Sequence, residues 1–418
     1  MKKLLVILGA GSSVGLRLPS VATIDALMQG WAAAWPQPNL GQEDYYAAVE
    51  RGMRAYIASS TASNQHRSVN FETILGDLAA LANWVTPAPH GTTLQGLTGK
   101  ANLGLQFPAG RYGAAVAVND QLTMLLVQLA KHMRGQSQAI DAASQPAADY
   151  AALLDGLRRR FDVGIYNLNY DTAALTAWPG AFTGFDANGG FSPRDVHGRQ
   201  DWGFIYHLHG SVHHSLSNVF GYPIVWKDDL SAGFDDGEPH RSTGRVSDGK
   251  EMPKTTLVAG GFKLDQLLVE PFHSFQASLI RHAHEADAVL IGGYGFGDTH
   301  VNRALSSRLE RGTGQDRPPA MILGYAGRGT DSIHFRRDDW VWNMTQTLLT
   351  DGHFFSEAGY GPSPADPCEL AQRRAFDLAD VHKTAIWYGG FEQAAARVDD
   401  IAAWLDGSSN DVLRASRP

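Results

Sequence analysis

Four short segments concentrate the residue types that do chemistry. Asn167-Leu168-Asn169-Tyr170-Asp171 sets an amide and a carboxylate two positions apart. At the carboxyl end of a parallel strand such a pair addresses one ligand; the alternative is a cap, with Asp171-Thr172 opening the next helix. His207-Leu208-His209-Gly210-Ser211 places two histidines on one side of an extended strand. That invites metal ligation, but no third ligand has convincing spacing. A single histidine before a glycine turn suits a general base, because imidazole titrates near neutrality. Gly9-Ala10-Gly11-Ser12-Ser13-Val14-Gly15 and Ile291-Gly292-Gly293-Tyr294-Gly295-Phe296-Gly297-Asp298, the latter closed by Asn302, are glycine turns. They allow close backbone approach to a phosphate-bearing ligand, or serve simply as strand-to-helix turns. The third glycine of the first turn is one place late for the dehydrogenase dinucleotide fingerprint. No second strand follows to carry its acidic residue, so an NAD-dependent dehydrogenase is disfavoured.

Each motif ends a short apolar run. The runs Leu4–Leu8, Val163–Leu168, Phe204–Leu208, Leu267–Val269, Ala288–Ile291, Met321–Leu323 and Thr384–Tyr388 do not alternate, which predicts strands buried on both faces. With the helical face Phe272, Phe275, Leu279, Ile280 and Ala283 after Pro271, the pattern predicts an α/β fold with a Rossmann-like, mostly parallel sheet. A core over 1–24 and 161–391 is expected. A helical insert occupies 25–160, with helices near Asp44–Ser59, Phe71–Trp84, Ala114–Met133 and Ala147–Arg160. A loop-rich insert spans 218–262, and an amphipathic helix (Ala394, Val398, Ile401, Leu405) with a polar tail closes 392–418.

The 418 residues allow one large domain or two, and a 44% hydrophobic content supports a packed core. A net charge of −8 argues against a chain-wide nucleic-acid surface. Arg158-Arg159-Arg160 reads as a solvated helix end. A single cysteine, Cys368, excludes a disulfide framework and a multi-cysteine zinc site. The apolar start, Leu4–Leu8, is too short for a signal-peptide core, and no run approaches a membrane span, so a cytoplasmic protein is expected.

Taken in order, the four motifs resemble the sirtuin fold family, specifically its bacterial sirtuin-like NAD-consuming members. Gly9-Ala10-Gly11-Ser12-Ser13 is similar to the family's NAD loop, with Gly15 and Pro19 after it. Asn169-Tyr170-Asp171 is similar to the motif whose Asn holds the ribose and reactive water and whose Asp holds the nicotinamide amide. Leu208-His209-Gly210-Ser211 resembles the segment of the catalytic histidine, and Gly293-Tyr294-Gly295-Phe296 the turn contacting cofactor phosphates and ribose. Pro19 is followed by Ser20-Val21-Ala22 where deacylases carry Asp-Phe-Arg, and Gly295 stands where serine is usual.

The resemblance implies NAD as substrate and hydrolysis of the nicotinamide–ribose bond by Asn169, Asp171 and His209; no zinc is expected, because one cysteine cannot build the four-cysteine zinc module that sirtuin deacylases carry. Gly9, Ala10, Gly11, Ser12, Ser13, Gly293, Gly295 and Asn302 would bind the cofactor. It further implies a role in antiphage defence with a HerA-type ATPase or Argonaute-type partner. Because an NAD-consuming enzyme must be kept silent, and the two insertions offer assembly surfaces and a gate, a regulated homo-oligomer is expected; neither membrane nor direct nucleic-acid binding is expected from the composition. Protein deacylation, ADP-ribosyl transfer, or a non-catalytic NAD or ADP-ribose sensor are the alternatives.

Overall fold

The computed structural model describes residues 1–36, 43–59, 69–86, 104–110, 113–217, 223–231, 240–245, 251–260, 263–309, 317–325, 340–348, 367–379 and 383–407. The strands in chain order are β1 (Lys2–Leu8), β2 (Phe161–Asn167), β3 (Phe204–His207), β4 (His214–Leu216), β5 (Ile224–Trp226), β6 (His240–Arg245) and β7 (Glu251–Thr255). They continue with β8 (Ala288–Gly292), β9 (Ala320–Leu323), β10 (Phe376–Ala379) and β11 (Thr384–Trp387).

The chain divides into two units. The first comprises 1–18, 139–208 and 271–418, and the second 19–138 and 209–270. The first is built on a seven-stranded sheet in the order β10-β11-β9-β8-β1-β2-β3, parallel except for the β10–β11 pair. This is the α/β, mostly parallel architecture read from the non-alternating apolar runs. From Leu4 to Leu8 every side chain is buried, because helices cover both faces of such a sheet. The chain runs from β1 outward through β2 to β3, then returns to the other side of β1 with β8 and β9. Strand order therefore reverses beside β1, where the carboxyl ends of β1 and β8 leave a crevice suited to a ligand.

The Gln145–Arg158 helix packs within this first unit, burying Tyr150, Leu153, Leu154 and Leu157 in the core that also holds β1, β2 and Phe391. Its Ser144 cap accepts from the Ala147 amide, and Pro146 sits in the first turn, as helix-start chemistry favours. At its other end Arg158 stacks on Trp178 at 4.1 Å, and Arg160 pairs with Asp399 at 3.4 Å. The C-terminal segment begins as a 3₁₀ stretch, Glu392–Arg397, before the Val398–Asp406 helix.

The second unit holds the helices Val21–Ala34, Tyr45–Ser59, Phe71–Val85 and Gly113–Gln138 and the hairpins β4–β5 and β6–β7. Contrary to the sequence expectation, Gly113–Gln138 is long and apolar enough to reach the lower bound for a membrane span. Half of its most apolar stretch is buried, and it packs on Phe71–Val85 and Val21–Ala34, with Gln121 and Arg134 among its buried residues. Those polar groups are held: Gln121 donates to Asp44 at 3.0 Å and Arg134 to the Leu230 carbonyl at 2.9 Å.

Leu267–Val269 is not a strand. It is the turn after a short helix, Lys263–Gln266, and Leu268 and Val269 are exposed. Without neighbours burying both faces, an apolar triplet has nothing to hold it extended. Part of the expected 218–262 insert, and the polar tail beyond 407, lie outside the described residues.

Candidate active site

The first turn is fixed by backbone pairing across the crevice. The Gly9 amide donates to Gly292 O, and the Gly11 amide to Gly293 O, both at 2.9 Å. Ser12 and Ser13 amides turn back onto Gly9 O and Ala10 O, closing a single 3₁₀ turn, Ala10–Ser12. A Cβ on Gly9 would sit 2.7 Å from Gly293 O, and one on Gly11 2.9 Å from Gly293 Cα. Gly293 itself has φ +61°, and its Cβ would lie 2.1 Å from the Ser12 nitrogen. These three glycines are therefore required by the approach of one loop to the other. Four amides of the turn are already spent inside the protein, which changes the expected phosphate cradle. Gly295, by contrast, is exposed, and a Cβ added there would meet nothing within 4 Å among the described residues.

Onto this turn comes Asn169, two residues beyond β2 and 9% exposed. Its Nδ2 reaches Gly9 O at 3.0 Å, Ser13 Oγ at 3.1 Å and Ser12 Oγ at 3.3 Å. The amide nitrogen is consumed by the loop, which aims the carbonyl end of the side chain away from it. Asp171 is buried at 2% exposure and accepts from the Ala173 amide at 2.9 Å. Burial pushes its carboxyl up to about 6, against the opposing pull of hydrogen bonds from the Ala173 amide and the Ser13 hydroxyl. Ser13 thus joins the two: it accepts from Asn169 and donates to Asp171. Thr172 occupies the N-cap position of the helix that follows, while Asp171 accepts from that helix's first amide and is at the same time a buried, perturbed carboxylate.

Asn302 is engaged within its own turn. Its Nδ2 donates to Phe296 O at 2.8 Å and its Oδ1 accepts from the Tyr294 hydroxyl at 2.9 Å. Both ends are used to shape a loop in which Phe296 has φ +55°, so this residue holds the turn. His207 ends β3 with Nδ1 3.3 Å from Asn169 O. His209 belongs to the second unit, where it is buried and its carbonyl accepts from the Val258 amide at 2.8 Å. Gly210 follows with φ +95°, against the Thr256 carbonyl, a conformation and approach that only glycine accepts.

No sequence motif marks Tyr150. It is buried in the first unit, where burial, together with the nearby Asp171 charge, pushes its phenol up. Its position in an amphipathic helix disguises it as ordinary core; only the polar tip distinguishes it.

Residues 163–345 match a SIR2-like domain. The matched span starts within β2, so it includes Asn169, Asp171, His209, Gly293, Gly295 and Asn302 but not the Gly9–Ser13 turn. Among solved structures, one of a Sir2 homologue mutant complexed with 2'-O-acetyl ADP-ribose is similar at 11% identity and a TM-score of 0.34, covering 83% of this chain and 94% of that one. A second, of Sir2 enzymes studied for mechanism and regulation, is similar at 13% identity and a TM-score of 0.30, covering 79% and 84%. Likeness this weak says nothing of activity. No curated protein matches the chain in sequence.

Proposed function

We propose that this protein is an NAD⁺ glycohydrolase, releasing nicotinamide and ADP-ribose. The SIR2-like domain supports an NAD-related activity. The observation that carries the finer reading is the joining of Asn169 and Asp171 through Ser13 on the turn after β1. Cleaving the nicotinamide–ribose bond develops an oxocarbenium-like sugar and expels a neutral base, so no strong acid is needed. What the reaction needs is a positioned water, an oriented carboxamide and a firm hold on the remote half of the substrate.

In this reading Asn169, its nitrogen held by the loop, turns its carbonyl to a water beneath the anomeric carbon. Asp171, ionised above about pH 6, accepts from the carboxamide nitrogen. His209 is the general base toward that water or a ribose hydroxyl. The exposed Gly295 leaves backbone open to the adenosine half. Such an enzyme has to be restrained in a living cell, and we include in the proposal a homo-oligomer activated by a trigger, with a HerA-type or Argonaute-type protein as the partner the sequence resemblance implies.

The test is nicotinamide release from NAD⁺ by the purified chain beside Asn169→Ala and His209→Ala. Release by the parent that both variants lose supports hydrolysis. Calorimetric binding of NAD⁺ with no release, alone or in cell lysate, would replace the enzyme with a sensor.

A further inference from the structure

Asn169 lies just past the point where strand pairing ends, and side chains hold its backbone instead. The ladder carries the chain as far as its neighbours: the Leu168 amide donates to Leu8 O at 2.8 Å, and the Leu208 amide to Asn167 O at 3.0 Å. Beyond them the N–H and C=O of a buried residue still need partners. The Asn169 amide donates to Asn167 Oδ1 at 3.1 Å, and its carbonyl meets His207 Nδ1 at 3.3 Å. His207 is the last residue of β3, in register with Asn167 and 1% exposed. A carbonyl oxygen only accepts, so the ring nitrogen facing it must carry the proton. In its neutral form this imidazole is therefore the Nδ1–H tautomer.

We propose that His207 is a positioning residue of this site: its Nδ1–H holds the Asn169 carbonyl and so sets the direction in which the Asn169 side chain leaves the backbone. Asn167 completes the hold at the amide. The contacts of Asn169 Nδ2 with Gly9 O, Ser12 and Ser13 fix the far end of the same side chain. Asn169 is thus pinned at both ends, as a group that presents its carbonyl to a reacting centre has to be. His207 and Asn169 lie in the same unit. The histidine that the sequence pairs with His209 as a candidate metal ligand instead has its Nδ1 on a backbone carbonyl. The consequence for turnover rests on the hydrolase reading above; the consequences for the tautomer and for the Asn169 backbone do not.

Nitrogen NMR of the labelled full chain reads the tautomer directly and needs no variant. His207 Nδ1 is expected to carry a proton; a ring protonated at Nε2 alone would overturn the proposal. His207→Leu keeps much of the volume and removes the donor, whereas His207→Asn returns an amide nitrogen to the place of Nδ1. The Leu variant should lose about tenfold in kcat while KM for NAD⁺ stays within about twofold, because orientation of the reacting end fails before binding of the remote half. The Asn variant should recover to within about threefold of the parent kcat. Hydrogen exchange gives a readout independent of activity: the Asn169 amide should exchange at least about fivefold faster in His207→Leu and at the parent rate in His207→Asn, with β1 amides unchanged. Equal losses in the two variants, or an unaltered kcat in His207→Leu, would overturn the proposal by removing the donor from the explanation. If His207→Leu does not fold, the parent's tautomer and the kcat of His207→Asn decide. If the parent releases no nicotinamide, the hydrolase reading fails, and the tautomer and the exchange rates decide: an Nδ1–H ring with faster exchange in His207→Leu supports the hold on Asn169, and either one missing rejects it.

Discussion

Asp171 carries two demands that conflict. Its carboxyl is buried, and its folded value of about 6 stands above the ordinary 3.8. The folded state therefore holds the proton more tightly than the unfolded chain. The stability that this contributes is complete below about pH 4 and is lost as pH rises through about 6. At neutral pH the ionised form costs on the order of 3 kcal/mol, from about two units at 1.36 kcal/mol each. Asp171→Asn keeps an acceptor for the Ala173 amide and removes the charge. It is expected to raise the melting temperature at about pH 7.5 by several degrees and to give little gain at about pH 4. The same variant should lose at least about a hundredfold in nicotinamide release. Calorimetric melts at the two pH values check the first outcome. A gain equal at both would mean that the buried charge is not what the substitution relieves.

The loops between elements explain why the four glycines of the site are not equivalent. Gly9, Gly11 and Gly293 are where two backbones meet, so a methyl group there must push one loop off the other. Gly9→Ala or Gly293→Ala is expected to lower the melting temperature and to loosen the turn, whereas Gly295→Ala should melt like the parent. Substrate affinity is the discriminating measurement at Gly295: a weakened NAD⁺ titration with unchanged melting assigns that position to the ligand. The strands of the central sheet are legible in the sequence because both faces are buried, which leaves unbroken apolar runs such as Leu4–Leu8 and Ala288–Ile291. The exception is β10. Its Phe-Asp-Leu-Ala alternates, as an antiparallel strand at the end of the sheet order does, and so lacks the run. Asn169 and Asp171 are legible from their spacing at a strand end. The loop-closing role of Asn302 is not, because it is defined by hydrogen bonds between residues whose separation in sequence carries no signal.

At the scale of the whole molecule, the SIR2-like match runs through chain segments of both units, so the proposed hydrolysis is best assayed on the full chain. Every group in the proposed reaction belongs to this one chain. In the proposed reading restraint comes from assembly or from a partner, and a homo-oligomer would supply the first by mass action. If assembly completes the active form, nicotinamide released per chain will rise with protein concentration and level off where sedimentation shows assembly to be complete. Pre-formed oligomer diluted below that point will lose activity on the timescale of dissociation. A chain that sediments as a monomer and hydrolyses NAD⁺ at one constant rate per chain over about a thousandfold dilution, the span needed to pass through a typical association equilibrium, would leave restraint to an external partner alone.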